Sequence, residues 1–345
     1  MTFSTADRGF AAANVADRAI DAARLHIQTL DSNSSKAADG QDVIDGLIQT
    51  PKSISPKYFY DALGSELFEQ ICALPEYYPT RTESAIFQRY ASEITQLTGA
   101  CELVELGSGS ATKTRILLDA YQDCGLPLRY IPIDVSGTML KDSSKQLLCD
   151  YESLKIHGLI GTYEAALQAL PASSLDTRLV MFIGSTLGNL SPEQCDQFLQ
   201  QVSTALESGQ FFLLGLDLQK DVATVEAAYN DAQGVTAKFD LNMLRHLNYR
   251  YGGDFDLEQF RHVAVYNSKD HQIEMYLESQ QNQTVTLKDL ALSVDFAKGE
   301  RLLSEISRKF DPTDVAQQLS GHGLNVMKTF TDERQWFGLI LAQKV

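Results

Sequence analysis

The sequence predicts an α/β fold, a doubly wound and mostly parallel sheet that carries an inserted α+β unit. Between about residues 100 and 218, short apolar segments alternate with helical patterns. Such alternation is typical of a parallel sheet with helices on both faces. A turn with two glycines follows the first apolar segment, and the alternation stops after Asp217 and returns near the C-terminus. We therefore expect the fifth strand to lead into an insert, after which the chain rejoins the sheet.

The alternating region contains five expected strands and one clearly bounded helix. The strands are residues 102–106, 130–134, 156–161, 179–184 and 211–216. The helix covers residues 192–206, because Ser191 can cap it and Pro192 suits its first position. Upstream, residues 1–40 are expected to form a partly mobile leader, with a helical stretch over 15–30 and a polar loop at 31–36.

The insert is expected to hold a helical region at 222–250 followed by antiparallel strands. In residues 273–277, Ile273, Met275 and Leu277 alternate with polar side chains, which predicts a strand with one buried face. Two more segments, 283–287 and 291–296, have the same character.

The chain is expected to return to the sheet after residue 310. Asp311 and Pro312 are a good N-cap and first residue for a helix that stops near Gly321 or Gly323. The final strands are 325–330 and 337–343.

Composition excludes several classes of function. The chain has 345 residues and a formal net charge of −16, which disfavours nucleic acid and anionic membranes as partners. Its five cysteines show no C-x-x-C spacing and its six histidines form no H-x-x-x-H pair, so we expect neither a disulfide framework nor a metal site. Without a signal-like segment or a long apolar run, the expected location is cytoplasmic.

The glycine turn is the most informative segment. Gly107 and Gly109 lie between a strand and a helix start, but Thr112 stands where the dinucleotide fingerprint has its third glycine. Asp134 ends the next strand, 27 residues after Gly107. This arrangement is typical of S-adenosylmethionine (SAM) sites, in which the acid binds the ribose hydroxyls. Gly161 and Gly184 follow two other strands at the same edge of the sheet, where ligands of such folds bind. A tight turn without a ligand is the alternative.

Several dispersed segments together resemble the histidine-specific methyltransferase family, the SAM-dependent L-histidine Nα-methyltransferases of ergothioneine biosynthesis. The similarity runs in order from about residue 45 to the C-terminus. It is carried by residues 57–61, 64–68, 74–81, 133–136, 182–190, 228–231 and 304–310. The resemblance implies a Rossmann-like class I methyltransferase sheet, formed by residues 82–219 and 308–345, and a substrate-binding domain formed by 41–81 and 220–307.

The resemblance also assigns roles to individual residues. The expected cofactor-binding residues are Gly107, Gly109, Lys113, Asp134, Thr162 and Tyr163. Thr162 departs from the family pattern, in which Asp is common, although its hydroxyl can also accept a hydrogen bond. The expected substrate-binding residues are Tyr77, Gly184, Asn189, Tyr229, Met275, Glu305 and Ser307. Among these, Asn189 and Tyr229 match contacts to the α-carboxylate, and Glu305 and Ser307 match the pair that holds the imidazole.

Tyr60 and Phe68 match aromatic residues beside the reacting amine and are the expected catalytic residues. The implied function is the transfer of three methyl groups from SAM to the α-amine of L-histidine, which gives hercynine. The expected partners are then L-histidine and its mono- and dimethyl forms. Two alternatives remain, a relative that acts on another amino acid or small amine and a non-catalytic SAM-binding regulator.

Overall fold

The computed structural model describes residues 23–30 and 40–345. The strands among them are β1 (Leu25–Thr29), β2 (Cys101–Leu106), β3 (Arg129–Asp134), β4 (Lys155–Ile160), β5 (Thr177–Phe182), β6 (Phe211–Asp217), β7 (Phe260–Asn267), β8 (Gln272–Ser279), β9 (Gln283–Leu287), β10 (Leu292–Phe296), β11 (Arg301–Arg308), β12 (Leu324–Thr331) and β13 (Phe337–Lys344). The helices are α1 (Gln41–Ile48), α2 (Ala62–Ala73), α3 (Tyr78–Thr98), α4 (Thr112–Asp123), α5 (Gly137–Asp150), α6 (Tyr163–Gln168), α7 (Pro192–Ala205), α8 (Val222–Tyr229), α9 (Val235–Tyr251) and α10 (Pro312–Gly321).

Eight strands form one sheet in the order β1-β4-β3-β2-β5-β6-β13-β12. The six strands from β1 to β6 pair in parallel, whereas β13 runs antiparallel to both β6 and β12. The chain moves outward from β2 to β3 and β4, and then crosses to the other side of β2 to form β5 and β6. This reversal creates a crevice at the carboxyl ends of β2 and β5, where ligands bind in doubly wound folds. The predicted fold class is confirmed.

Between β6 and α10 the chain forms the predicted insert. It contains α8, α9, a three-stranded antiparallel sheet in the order β11-β8-β7 and the hairpin of β9 and β10. One hydrophobic cluster joins residues 43–78 to residues 225–302, and two further clusters cover the two faces of the large sheet. The exact division of the chain into domains stays a prediction.

Most local predictions are confirmed because their signals are local. Ser191 and Gln194 form a capping box in front of Pro192 at the start of α7. The Asp311 carboxylate accepts the Thr313 N–H at 2.7 Å and caps α10. The predicted helical region 222–250 is divided in two, because Gly234 adopts a left-handed conformation (φ +67°) and starts α9 anew.

The predicted helix over residues 15–30 is wrong where it can be compared, since Leu25–Thr29 is the edge strand β1. It pairs in parallel with β4, with Leu25 opposite Ile156. The Arg24 guanidinium donates to the carbonyls of Leu148 (3.0 Å) and Leu154 (3.1 Å) and fixes the segment against the sheet. Long-range pairing has therefore overridden the helical pattern of an alanine-rich segment. The rest of the predicted leader, including the loop at 31–36, lies outside the described residues.

A β-bulge interrupts β11 and sets the orientation of its second half. Leu303 pairs with Tyr276 and Glu305 pairs with Met275, so Ser304 is an extra residue without a partner on β8. The Ser304 hydroxyl donates to the Met275 carbonyl at 3.0 Å. An extra residue reverses the alternation of side chains along a strand. Leu302 therefore faces the core before the bulge, and the odd-numbered residues from Glu305 onward face the same side after it.

In the part of the chain that the structure describes, no helix combines the length and the apolar character needed to cross a membrane.

Candidate active site

The glycine turn after β2 is tightly held on one side and open on the other. Gly107 and Gly109 both have positive φ angles, +77° and +48°. The N–H groups of Gly107 and Ser108 donate to the Ile133 carbonyl at 2.8 and 3.0 Å. A Cβ on Gly107 would lie 2.9 Å from the Tyr163 hydroxyl oxygen, whereas a Cβ on Gly109 would have no neighbour within 4 Å. The turn thus combines close packing with space for a ligand.

Asp134, at the end of β3, holds this turn in place. Its Oδ2 accepts the Gly109 N–H at 2.9 Å and its Oδ1 accepts the Ser136 N–H at 2.8 Å. Each carboxylate oxygen can accept a second hydrogen bond. Asp134 can therefore accept both hydroxyls of a ribose while it orients the turn, so these residues fit the nucleoside of SAM.

Glu105, the acid in front of the turn, has a structural role. Its Oε2 accepts the hydroxyls of Thr114 and Tyr130, and the residue is buried. Burial raises the pKa of Glu105 to about 7, although both hydrogen bonds oppose the shift. These contacts tie β2 to β3 and to the start of α4.

Lys113 and Gly184, which were predicted to bind different ligands, are joined by a residue that sequence reasoning missed. Lys113 forms an ion pair with the buried Glu83 of α3, and Glu83 Oε1 also accepts the Gly184 N–H at 2.8 Å. A Cβ on Gly215 would lie 2.3 Å from the same oxygen. Glu83 therefore links α3, the start of α4 and the end of β5 beneath the crevice. It has no sequence signal beyond being an acid in an amphipathic helix.

Thr162 and Tyr163 lie at the start of α6. Thr162 is the N-cap, and its hydroxyl oxygen is 3.4 Å from the Ala165 N–H. Tyr163 packs edge-on against Phe182 and approaches Gly107. Burial, with a further contribution from Asp134, raises the pKa of Tyr163. Tyr163 thus stands beside the same turn as Asp134.

A cavity that opens to solvent lies on the insert side of the crevice. Six of its lining residues were predicted site residues, namely Tyr60, Phe68, Tyr77, Tyr229, Met275 and Glu305. Four were missed, namely Ile71, Ala228, Thr236 and Phe239. The structure therefore brings together residues that are as far apart in the sequence as Tyr60 and Glu305.

Three aromatic rings form a triangle at one part of this cavity. The ring centroids of Tyr60, Phe68 and Phe239 are each 6.0 Å from the other two. Tyr77 packs edge-on against Phe68 at 6.4 Å and against Tyr229 at 6.2 Å. Aromatic faces attract organic cations.

Tyr60 lines the cavity, and charges near the glycine turn also act on its hydroxyl. Burial raises the pKa of its hydroxyl, and Glu305, Tyr163 and Asp134 add to the shift. Tyr60 keeps 47 % of its surface accessible because its ring borders the open cavity. A raised pKa keeps the hydroxyl neutral, so Tyr60 can accept a hydrogen bond but is not ionised near neutral pH.

Glu305 is the acidic group of the cavity wall. Burial raises its pKa to about 7 and Asp240 adds to this shift, whereas Lys309 and a hydrogen bond from Asn189 oppose it. Asn189 lies in the 3-10 turn Thr186–Asn189 after β5, where its amide also donates to the Ile306 carbonyl at 3.0 Å. Asn189 thus connects the sheet to β11 next to Glu305.

Tyr229 and Ser307 form a hydroxyl pair beside Glu305. Their oxygens are 2.7 Å apart. The buried Lys309 donates to Tyr229 at 3.0 Å and to Ser307 at 2.8 Å, and it forms an ion pair with Asp217 at 2.9 Å. Sequence reasoning missed Lys309, although its spacing of two from Ser307 and four from Glu305 places all three on one face of an extended segment.

The backbone of Tyr229 is held by a second ion pair. His262 Nδ1 lies 2.6 Å from Asp240 Oδ2, and its Nε2 lies 2.9 Å from the Tyr229 carbonyl oxygen. Because a carbonyl only accepts, Nε2 carries a proton. Burial lowers the pKa of His262, but the hydrogen bond and charge of Asp240 outweigh this and raise it. The raised pKa favours the protonated form of His262, and the helix dipole at the carboxyl end of α8 also favours positive charge there.

Among the described residues, no cluster of three or more His, Cys, Asp or Glu side chains is suited to hold a metal ion.

Comparison with known proteins agrees with this geometry. A family described as "Histidine-specific methyltransferase, SAM-dependent" matches residues 39–344. The histidine N-alpha-methyltransferase of Mycolicibacterium smegmatis is 45% identical over 313 residues, which cover 91% of this chain and 97% of that protein. The protein of the same name from Mycobacterium tuberculosis is 43% identical over 304 residues, which cover 88% and 94%. Ergothioneine biosynthesis protein 1 of Neurospora crassa is 29% identical over 311 residues, which cover 85% of this chain but 33% of that protein.

Proposed function

The chain belongs to the SAM-dependent histidine-specific methyltransferases, and we propose that its aromatic cavity holds L-histidine with the imidazole on Glu305 and the α-amine toward the glycine turn. The activity is histidine Nα-methylation, and the product of the complete reaction is hercynine, in the ergothioneine pathway. The observation that carries the placement is that one cavity joins an acid at one wall to a triangle of aromatic rings at another.

The donor site is formed by the turn and the strand end beside it. Gly107, Gly109 and Asp134 would hold the nucleoside of SAM, and Tyr163 would stand against it. Bound SAM supplies a methyl group on a sulfonium, which is already a good leaving group. Catalysis then depends mainly on the placement of the amine lone pair in line with that methyl group.

The amine end requires the loss of a proton before each transfer. A largely apolar cavity disfavours the ammonium form and lowers the pKa of the substrate amine. The Tyr60 hydroxyl stays neutral, so it serves as a hydrogen-bond acceptor that orients the amine rather than as an ionised base. Water then carries the proton away.

The rings explain how the reaction can proceed through three stages. Each methylation removes an N–H donor and leaves the amine bulkier. Tyr60, Phe68 and Phe239 attract a methylated ammonium through their faces, and this attraction does not need N–H donors. The mono- and dimethyl forms are therefore retained as substrates.

The imidazole end provides selectivity. Glu305 accepts an imidazole N–H, and Asn189 holds this carboxylate in position. A substrate with an apolar side chain would leave a buried charge without a partner, which is costly.

Mass spectrometry of the products tests the function directly. Purified protein is incubated with histidine, excess SAM and an enzyme that removes S-adenosylhomocysteine. We expect trimethylhistidine as the end product, and much slower reaction with a panel of other amino acids and small amines. Asp134→Ala serves as the control that lacks the donor site. A folded, SAM-binding protein without turnover would support a regulatory role instead, and a product with one methyl group would refute the role of the aromatic triangle.

A further inference from the structure

The buried Lys309 uses all three of its ammonium donors. They go to Asp217 Oδ2 at 2.9 Å, to Ser307 Oγ at 2.8 Å and to the Tyr229 hydroxyl at 3.0 Å. Its side chain has no accessible surface. Burial alone would lower the pKa of Lys309, but Asp217 and Tyr229 outweigh burial and raise it, so the group remains a cation.

This arrangement determines how the two hydroxyls can be used. A lysine ammonium only donates, so Tyr229 and Ser307 both accept a hydrogen bond from Lys309. The two oxygens are 2.7 Å apart, and one hydroxyl proton lies between them. The other hydroxyl proton remains and must point out of the pair. Tyr229 lines the cavity, so the free proton is useful to a ligand when Ser307 donates to Tyr229 and the Tyr229 hydroxyl donates outward.

The charges behind the pair reinforce this polarity. Asp217 is shared by two lysines, because Lys220 also donates to it and to the Tyr78 hydroxyl. Lys309 is the lysine of the two that contacts the hydroxyl pair, so its cation acts directly on Tyr229 and Ser307. An outward donor backed by positive charge suits an anionic acceptor.

We propose that Lys309 is a positioning residue that, through its bonds to Ser307 and Tyr229, fixes the Tyr229 hydroxyl as a hydrogen-bond donor to the α-carboxylate of the amino-acid substrate. This inference rests on the proposed function, since it concerns the same cavity. It implies that the protein distinguishes amino acids from the corresponding decarboxylated amines through a residue that does not itself touch the substrate.

Histamine is the probe, because it keeps the imidazole and the amine of histidine but lacks the carboxylate. Affinities for histidine and histamine are measured by calorimetry on the full chain with S-adenosylhomocysteine present. We expect Lys309→Met to weaken histidine binding strongly and histamine binding little, so that the affinity ratio falls at least about tenfold, the factor that 1.4 kcal/mol provides. SAM affinity should change by less than about threefold, because the proposed donor site involves other strands.

Lys220→Met is the matched control. It removes a second buried lysine from the same aspartate, but Lys220 donates to Asp217, Tyr78 and the Leu218 carbonyl rather than to Tyr229 or Ser307, so the ratio should stay at the wild-type value. Tyr229→Phe provides a second test that leaves Lys309 in place, and it should lower the ratio without requiring the core to tolerate a methionine. Combining it with Lys309→Met should add little.

Several results would overturn the inference. They are an equal loss of affinity for both ligands in Lys309→Met, an equal fall in the ratio in Lys220→Met, an unchanged ratio in Tyr229→Phe, or a wild-type protein that binds histamine as well as histidine. A wild-type protein that prefers histidine in binding but does not methylate it would refute the proposed function while leaving the role of Lys309 intact.

Discussion

Glu305 shows how burial and recognition act against each other in a single side chain. In the free protein a charged carboxylate in the cavity wall is unfavourable, which is why its pKa is raised to about 7. Bound histidine would offset this by donating an imidazole N–H. The same carboxylate should therefore be a liability for stability and a requirement for substrate selection.

Replacing Glu305 by alanine should damage histidine turnover and leave the donor site intact. We expect a loss of about 2–4 kcal/mol in kcat/KM for histidine, the range for a hydrogen bond to a charged group. SAM affinity should stay within about threefold of wild type. Steady-state kinetics and calorimetry check both values, and wild-type turnover in the mutant would show that Glu305 does not select the imidazole.

The stability of the free protein should respond to Glu305→Gln in a pH-dependent way. A carboxyl whose pKa is higher in the folded than in the unfolded chain contributes stability at low pH, and this contribution is lost as pH rises from about 4.5 to about 7. Glutamine does not titrate, so relative to wild type the variant should gain more at about pH 8 than at about pH 5. Urea unfolding at the two pH values measures the difference. An equal gain in unfolding free energy at both pH values would contradict the proposal that the charged Glu305 carboxylate destabilises the free protein.

Asp134 combines two tasks, so its removal should affect the donor site twice. Asp134→Ala removes the acceptor for ribose hydroxyls and also frees the N–H groups of Gly109 and Ser136. The free energy of SAM binding should become less favourable by about 1.5–3 kcal/mol. Calorimetry with a folded mutant gives the value, Glu305→Ala serves as a control from the other site, and an unchanged affinity would refute the donor-site assignment.

Among the elements, helix α8 has the most direct connection to substrate binding. It places Tyr229 at its last turn, and its carboxyl end is fixed by His262, which in turn is held by Asp240. The His262–Asp240 pair at the end of a two-turn helix thus fixes the position of Tyr229, whose hydroxyl we propose binds the substrate.

His262→Gln should remove a pH-dependent part of the stability. The pKa of His262 is raised in the folded protein, so its contribution is complete below about pH 6.5, the ordinary value, and is lost as pH rises through the folded value. The difference in Tm between wild type and variant should therefore be largest near about pH 6 and shrink toward about pH 9. We also expect a higher KM for histidine, and a Tm difference that grows with pH would show that the imidazole is buried neutral.

At the scale of the whole molecule, the two ligand regions are built from different parts of the chain. The donor site lies at the carboxyl ends of β2 and β3, whereas the cavity is formed by α2, α8, α9 and the sheet of β8 and β11. Tyr60 lines the cavity, and the pKa of its hydroxyl is raised by burial, by Glu305 of the cavity and by Tyr163 and Asp134 beside the glycine turn.

Hydrogen exchange should reveal this division. SAM alone should slow exchange in the turns after β2 and β3, and addition of histidine should extend the protection to α8 and β11. Ligands that bind only the native state suppress the openings that expose these amides. Mass spectrometry of exchanged peptides, with Asp134→Ala as the control for the first step, measures both steps. Protection of α8 by SAM alone would mean that the two regions are not separable.

The proximity of the glycine turn and Asp134 could be predicted from sequence for a simple geometric reason. Carboxyl ends of parallel strands meet at one edge, so a glycine turn after one strand and Asp134 after the next were bound to be neighbours. The edge strand β1 could not be predicted, because its partner lies more than a hundred residues away and its own sequence is compatible with a helix.

The cavity was much less predictable from pattern. Phe239 is an apolar residue of a helix in the insert and looks like any core residue, and Glu83 looks like any surface acid of an amphipathic helix. Glu305 and Ser307 were placed at the site only through the resemblance to a family. Simple alternation along β11, started from Leu302, puts both of them on the face opposite to the one they occupy.

The bulge at Ser304 therefore determines which face of β11 carries the side chains proposed to select the substrate. Ser304, which donates its hydroxyl to the Met275 carbonyl, decides whether Glu305, Ser307 and Lys309 face the proposed substrate cavity together or turn away together. We therefore expect an insertion or deletion of one residue at the bulge to change the orientation of all three side chains at once. A search for variants with new amino-acid substrates should include length changes at this position, where a single step moves a whole recognition face at once.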